Sequence, residues 1–96
     1  MFEVEPKFEL GQVVQTREIA AARLGSEEFA DEITRDFLRY VQGDWGDTCA
    51  EDRELNNNAT KDGGRIVAKY NTTKGDVFII TEWDRSYTTI LFASEY

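Results

Sequence analysis

Beyond Gly63-Gly64 the hydrophobic period of this chain changes from that of a helix to that of a strand, and that change limits the folds open to it more than any other feature. Before it, Phe29, Ile33, Phe37 and Tyr40, with Ala30 and Val41 alongside, follow the spacing of one buried stripe on an α-helix. After it, Ile66, Ala68 and Tyr70 alternate with Arg65, Val67 and Lys69, the two-residue period of a strand. A helical stripe scatters its apolar residues over both faces of a strand, and an alternating segment scatters them around a helix, so neither half can take the other's structure. Helices first and a sheet afterwards make an α+β arrangement, in which one sheet face is buried beneath the helical stripe.

Local signals set the expected elements. Ser26 is an N-cap and Gly43 follows the last apolar position, which predicts a helix over 26 to 42. A shorter helix from Thr16 buries Ile19, Ala22 and Leu24 before Gly25 breaks it. A third, over 48 to 60, opens at the capping box Thr48-x-x-Glu51 with Asp47 as a rival cap, buries Leu55 and Ala59, and stops at the glycine pair. Strands over 65 to 70, 77 to 83 and 87 to 92, joined by turns at Thr73-Lys74-Gly75-Asp76 and Asp84-Arg85-Ser86, form an antiparallel meander. Residues 8 to 14 read as a further short strand added to an edge. The expectation is one domain, 1 to 96, with two or three N-terminal helices packed on a three- or four-stranded antiparallel C-terminal sheet. The oligomeric state stays open; were the strand over 87 to 92 an edge, edge pairing would be a route to a dimer.

Charge narrows the partners. The 96 residues carry 19 Asp and Glu against 11 Lys and Arg, a net charge of −8. That balance disfavours direct binding to nucleic-acid phosphate and favours a cationic partner. Residues 1 to 60 hold 14 of the acids and 6 of the bases, whereas 61 to 96 hold 5 of each, so the imbalance lies in the helical part. The chain has no histidine and one cysteine, which excludes histidine-based acid-base chemistry, histidine zinc sites and an internal disulfide. Carboxylates crowd Cys49 and oppose thiolate formation, and no glycine-rich phosphate loop is present. No run approaches the roughly 18 apolar residues of a membrane span, and the N-terminus lacks a secretory pattern; a cytoplasmic location without membrane contact is expected, with no cofactor.

Three constellations could carry function. Asp44, Asp47, Glu51 and Asp52 lie close together around Trp45, an oxygen-rich set of the kind hard cations take. Their spacing departs from a calcium loop, and the preferred reading has no metal: Gly43 ends one helix, Asp47 or Thr48 caps the next, and Trp45 plugs the junction. Around the last turn, Glu82, Arg85 and Thr88 can meet Trp45, Asp52 and Asn56 in a ligand pocket between the third helix and the sheet; otherwise Arg85 ties sheet to helices through a carboxylate. The acidic face is the third. Glu28, Asp31 and Glu32 point away from the helical stripe, flanked by Glu27 and Asp36, and with Asp44, Asp47 and Glu51 they can imitate a phosphate backbone toward a basic protein surface. Asp31 can pair with Arg35 one turn on, which dilutes that field.

Gly43-Asp44-Trp45-Gly46-Asp47, Glu51-Asp52, Asn56, Gly64-Arg65, Tyr70, Ile80-Thr81-Glu82, Asp84-Arg85-Ser86, Thr88-Thr89-Ile90-Leu91-Phe92 and Glu95-Tyr96 together resemble a family of small bacterial proteins. Its members occur on phages, plasmids and integrated elements under the names "plasmid-related protein" or "type I restriction endonuclease subunit M". The resemblance runs from Phe8 to the C-terminus. A methyltransferase role does not suit this chain, whose one proline, Pro6, cannot supply an Asn-Pro-Pro-aromatic motif. What the resemblance implies is context: an accessory protein blunting a host nucleic-acid-processing defence, of the anti-CRISPR or anti-restriction type, by binding a basic surface of the defence protein rather than by catalysis.

Overall fold

Ser26 opens the longest helix by accepting a hydrogen bond from the Phe29 N–H, and from that cap a buried stripe of Phe29, Ile33, Tyr40 and Val41 faces inward, interrupted by Asp36. The structure is a computed structural model that describes residues 5–96. Its elements in chain order are β1 (Gln12–Gln15), α1 (Arg17–Gly25), α2 (Glu27–Val41), α3 (Ala50–Asp62), β2 (Ile66–Thr72), β3 (Gly75–Thr81) and β4 (Tyr87–Phe92), followed by a 3-10 turn, Ala93–Glu95. The strands form one sheet in the order β1-β4-β3-β2. Three rows of side chains face the helices: Tyr70, Val77 and Phe92; Ala68, Ile79 and Ile90; Ile66, Thr81 and Thr88. Phe29, Ile33, Tyr40 and Val41 of α2 and Ile19 of α1 complete this core, each worth about 1.5–3 kcal/mol on full burial.

The sheet is mixed, which corrects the antiparallel expectation. The N-terminal strand is Gln12–Gln15, overlapping the anticipated 8 to 14 region only from Gln12 to Val14, and runs parallel to β4, so β4 is an interior strand and not an edge. Its direction follows from what comes next. Thr16, directly after β1, caps α1 through its hydroxyl, which also donates to the Glu95 carboxylate at 2.9 Å. Glu95 in turn accepts from the Phe92 N–H, so the C-terminal ends of β1 and β4 are tied side by side. In α1, Ile19 is buried as expected, but Leu24 is 92% exposed because, five residues on, it is turned about 140° away from Ile19 around the helix.

A buried chain of hydroxyls links four segments of the core. The Thr88 hydroxyl donates to the Leu10 carbonyl at 2.7 Å, which obliges Thr81 to donate to Thr88 and Tyr40 to donate to Thr81, both at 2.7 Å. The carbonyl at one end thus orients every proton in the row. With all members satisfied, three polar side chains sit at the centre of an apolar core at little cost.

The edge of β2 is closed by side chains of the connection before α3 and of α3 itself. Asp47 accepts from the Asn71 N–H, Thr48 accepts from the Lys69 N–H, and the Asp47 N–H donates to the Lys69 carbonyl. One turn and a half into α3, the Asn56 amide both donates to the Val67 carbonyl at 2.9 Å and accepts from its N–H at 3.2 Å. Gly46 lies flat on the Tyr70 ring with φ of 60°, a conformation and a closeness that leave no room for a Cβ. These duties overturn the expected cap. The N-cap of α3 is Cys49, with no side-chain bond, because Asp47 and Thr48 are committed to β2. They also rotate the helix: Asn56 is buried and its neighbour Leu55, expected in the core, is 60% exposed.

Replacing Asn56 by Ala strands both backbone groups of Val67, and the urea midpoint should fall by the equivalent of about 2 kcal/mol with an unchanged slope. Leu55→Ala on the same helix should shift stability by no more than about 0.5 kcal/mol. Equal effects from the two substitutions would contradict the helix orientation described here.

Candidate functional site

The carboxylates of the helical part divide into those the fold consumes and those it leaves free. Asp44 accepts from the Arg39 guanidinium at 3.0 and 3.3 Å and from the Gly46 N–H, and this charge-assisted pairing holds its pKa below the usual carboxylate range. Arg39 also stacks 5.4 Å above the Tyr70 ring, whose hydroxyl donates to the Asp44 carbonyl. Asp47 belongs to the β2 edge, and Glu32 holds the turn between β2 and β3 by accepting from both the N–H and the hydroxyl of Thr73. Glu28, Asp31 and Glu51 are exposed and make no side-chain bond or ion pair among the described residues. The expected Asp31–Arg35 pair is absent; Arg35 instead approaches Asp36 at 3.8 Å. Of the six carboxylates expected to form the acidic surface, three are therefore free and three are structural. Glu27, Asp52 and Glu54, exposed and equally unpaired, join the free set.

Asp36 is a different case. Expected to flank the stripe, it is instead 1% exposed within it, and its Oδ2 finds no hydrogen-bond partner while Oδ1 lies 3.4 Å from Arg39. The spacing Phe29, Ile33, Asp36, Tyr40 carries this position as regularly as Phe37, so the signal was present in the sequence, masked by the polarity of the residue. Burial raises its pKa, against the opposing pull of Arg35 and Arg39. An acid whose pKa is raised by folding binds its proton more tightly in the native state, so its contribution to stability falls as pH rises through the window above 3.8.

The six residues of the expected ligand pocket do not converge. Trp45 is 3% exposed, its ring packed on Phe8 and Tyr40 and its indole N–H donated to Asn57 at 2.8 Å. Asn56 serves the β2 edge, Thr88 lies in the hydroxyl chain, and Glu82 approaches Arg65 at 3.6 Å. Arg85 does tie sheet to helix, through carbonyls rather than a carboxylate. Its guanidinium donates to Ala59 and Gly64 at 2.7 and 2.6 Å, closing the C-terminal end of α3, and to Glu82. It reaches them from a backbone at φ of 61°. Asp52 alone stays unengaged. With Val67 it lines two adjoining depressions along the seam between α3 and β2, of about 250 and 290 Å³, where its charge is set against Lys69 in one and Arg65 in the other.

Among the described residues, no three of Cys, Asp and Glu gather closely enough to hold a metal ion, and no helix is long and apolar enough to cross a membrane. No family model matches the chain, and neither the curated proteins nor the solved structures contain a match to it.

Two measurements follow from these side chains. Arg85→Lys cannot reach three carbonyls with a planar fork, and should lower the unfolding free energy by about 2 kcal/mol in the absence of any ligand; undiminished stability would return Arg85 to a recognition role. For Asp36, carboxyl chemical shifts should titrate with a midpoint above 3.8. The stability of the wild type relative to Asp36→Asn should then decline as pH rises through that window and level off above it. A difference that grows in favour of the wild type would reverse the sign.

Proposed function

We propose that this chain is a non-enzymatic binding protein of a phage or other mobile element, which docks through exposed carboxylates on a basic surface of a host nucleic-acid-processing defence protein. The observation that supports this most directly is the free set. Glu27, Glu28 and Asp31 on α2, and Glu51 and Glu54 on α3, project from two helices and make no ion pair among the described residues, while Asp52 beside them borders depressions that it shares with Lys69 and Arg65. Of the bases in the same stretch, Arg35 and Arg39 already face Asp36 and Asp44, which leaves Arg53 as the one base there outside these pairs among the described residues. Carboxylates held by rigid helices keep fixed spacings, and fixed spacing is what a mimic of a phosphate row requires. The acids of the first helical turns also suit the local dipole, so the fold tolerates them there at no cost.

The resemblance to proteins of mobile elements supports the choice of partner class, and the negative charge supports a basic target over nucleic acid itself. The absence of histidine, and the commitment of Arg85, Thr88 and Trp45 to packing, favour binding over catalysis and over the nucleotide-like ligand pocket.

Titrated against CRISPR and restriction nucleases of a host cell, the protein should inhibit one of them with a potency that weakens steeply as salt rises. Charge reversal of Glu28, Asp31 and Glu51 to Lys should cost at least tenfold, through association rate first, while Asp44→Asn should act through stability. Inhibition indifferent to both salt and charge reversal would end the mimicry reading.

A further inference from the structure

The two edges of the sheet are treated differently. Every outward backbone group of β2 from Val67 to Asn71 that would invite another strand is met by Asn56, Thr48 or Asp47, save the carbonyl of Asn71. At the other edge, Gln12 and Thr16 donate to Ser86 and Ile90 of the neighbouring strand, so alternation turns the N–H and C=O of Val13 and Gln15 outward. Among the described residues nothing meets them. Val13 and Val14 are 45% and 36% exposed. Val13 is level with the inward-facing Thr88, yet the helices leave it open, and a groove of about 170 Å³ remains above it, floored by Val13, Ile33, Phe37 and Ile90.

Charge identifies the occupant. Residues 8 to 25, which hold β1 and α1, contain Glu9 and Glu18 against Arg17 and Arg23, a balance of zero in a chain of net charge −8. None of the four is in an ion pair among the described residues. A basic partner gains nothing at this edge, whereas two copies of an acidic chain can approach here with the least repulsion. Length agrees. Gly11, with φ of 64°, bends the chain before β1, and Thr16 turns it into α1 after, so the edge accepts a strand of its own length and no more.

We propose that β1 pairs antiparallel with β1 of a second copy about a two-fold axis through Val14, joining two four-stranded sheets into one of eight. The register is set by the outward groups. Val13 of each copy pairs with Gln15 of the other, giving four backbone hydrogen bonds, and Val14 meets Val14 on the sheet face opposite the helices. A slip of one residue would set outward groups against inward ones and turn the side chains to the wrong faces. The axis is perpendicular to the sheet, so both α2 helices, with their free carboxylates, stand on the same side.

Sedimentation equilibrium over a rising concentration series should show the mass moving from one chain to two. Val14→Lys places two ammonium groups on the axis, and should return the protein to a monomer with its melting temperature retained. In a Cys49→Ser background, Val14→Cys should cross-link on addition of oxidised glutathione while Val13→Cys should not, because only position 14 faces its own copy across a non-hydrogen-bonded pair. That second arm stands even if the lysine variant fails to fold. Rising salt should leave the dimer intact, which separates this interface from the salt-sensitive docking proposed above. A single-chain mass at every concentration, a dimer that survives Val14→Lys, or cross-linking that favours position 13 would each overturn the proposal.

Discussion

A four-stranded sheet ends in two rows of backbone groups that must find partners, and the closure of one of those rows organises the middle of this molecule. Along β2 the partners are side chains: the Asp47 carboxylate, the Thr48 hydroxyl and both ends of the Asn56 amide. An asparagine with its donor and acceptor both on one residue of a strand copies the pairing another strand would make, and does so from a helix. That duty determines which way α3 faces. It draws Asn56 inward, leaves Leu55 outside, denies α3 a side-chain N-cap, and presses Gly46 against Tyr70. The cost of an uncapped helix, about 1 kcal/mol, is smaller than that of several unpaired backbone groups.

The same economy divides the charges. Arg39 sits between Asp36 and Asp44 and above Tyr70, so one guanidinium anchors the end of α2 to the connection that closes the β2 edge. Asp36 is the weak member of this group. Buried with one oxygen unpartnered, it opposes the stability that Asp44 contributes, and the two carboxylates, though both are paired with Arg39, are displaced in opposite directions by their surroundings. Beyond this group, and beyond Glu32, Asp47 and Glu95 with their own backbone and hydroxyl partners, lies the unpaired negative charge on which the binding reading rests.

Much of the fold was legible in the chain because it rested on period and caps. The α2 stripe, its Ser26 cap, the change at the glycine pair and the three consecutive strands are local, and the structure keeps them with shifts of one or two residues at the ends. The parallel pairing of β1 was not legible, since it depends on Glu95 reaching Thr16 across 79 positions of sequence. Nor was the orientation of α3, because an amide that satisfies a strand edge looks, in sequence, like a weak helix position. In the acidic set the sequence showed where the carboxylates are but not which were spoken for: Glu32, Asp44 and Asp47 answer to Thr73, Arg39 and Asn71, partners that adopt their positions only on folding.

Arg85 shows the same distinction in its sharpest form. An arginine between Asp84 and Ser86, in a turn with Glu82 nearby, has the composition of an anion-recognition site, and sequence can only pair it with the carboxylates it can see. The fold offers it backbone carbonyls instead, at the end of α3 where the helix dipole is negative, and a guanidinium satisfies two of them at 2.6 and 2.7 Å while keeping its charge. Carbonyls are invisible to residue chemistry because every position has one. The two carboxylates beside Arg85 in sequence find partners elsewhere, Glu82 near Arg65 at 3.6 Å and Asp84 on the Ser86 N–H at 3.0 Å, so the turn is held by backbone and side chain together without an Arg85 ion pair.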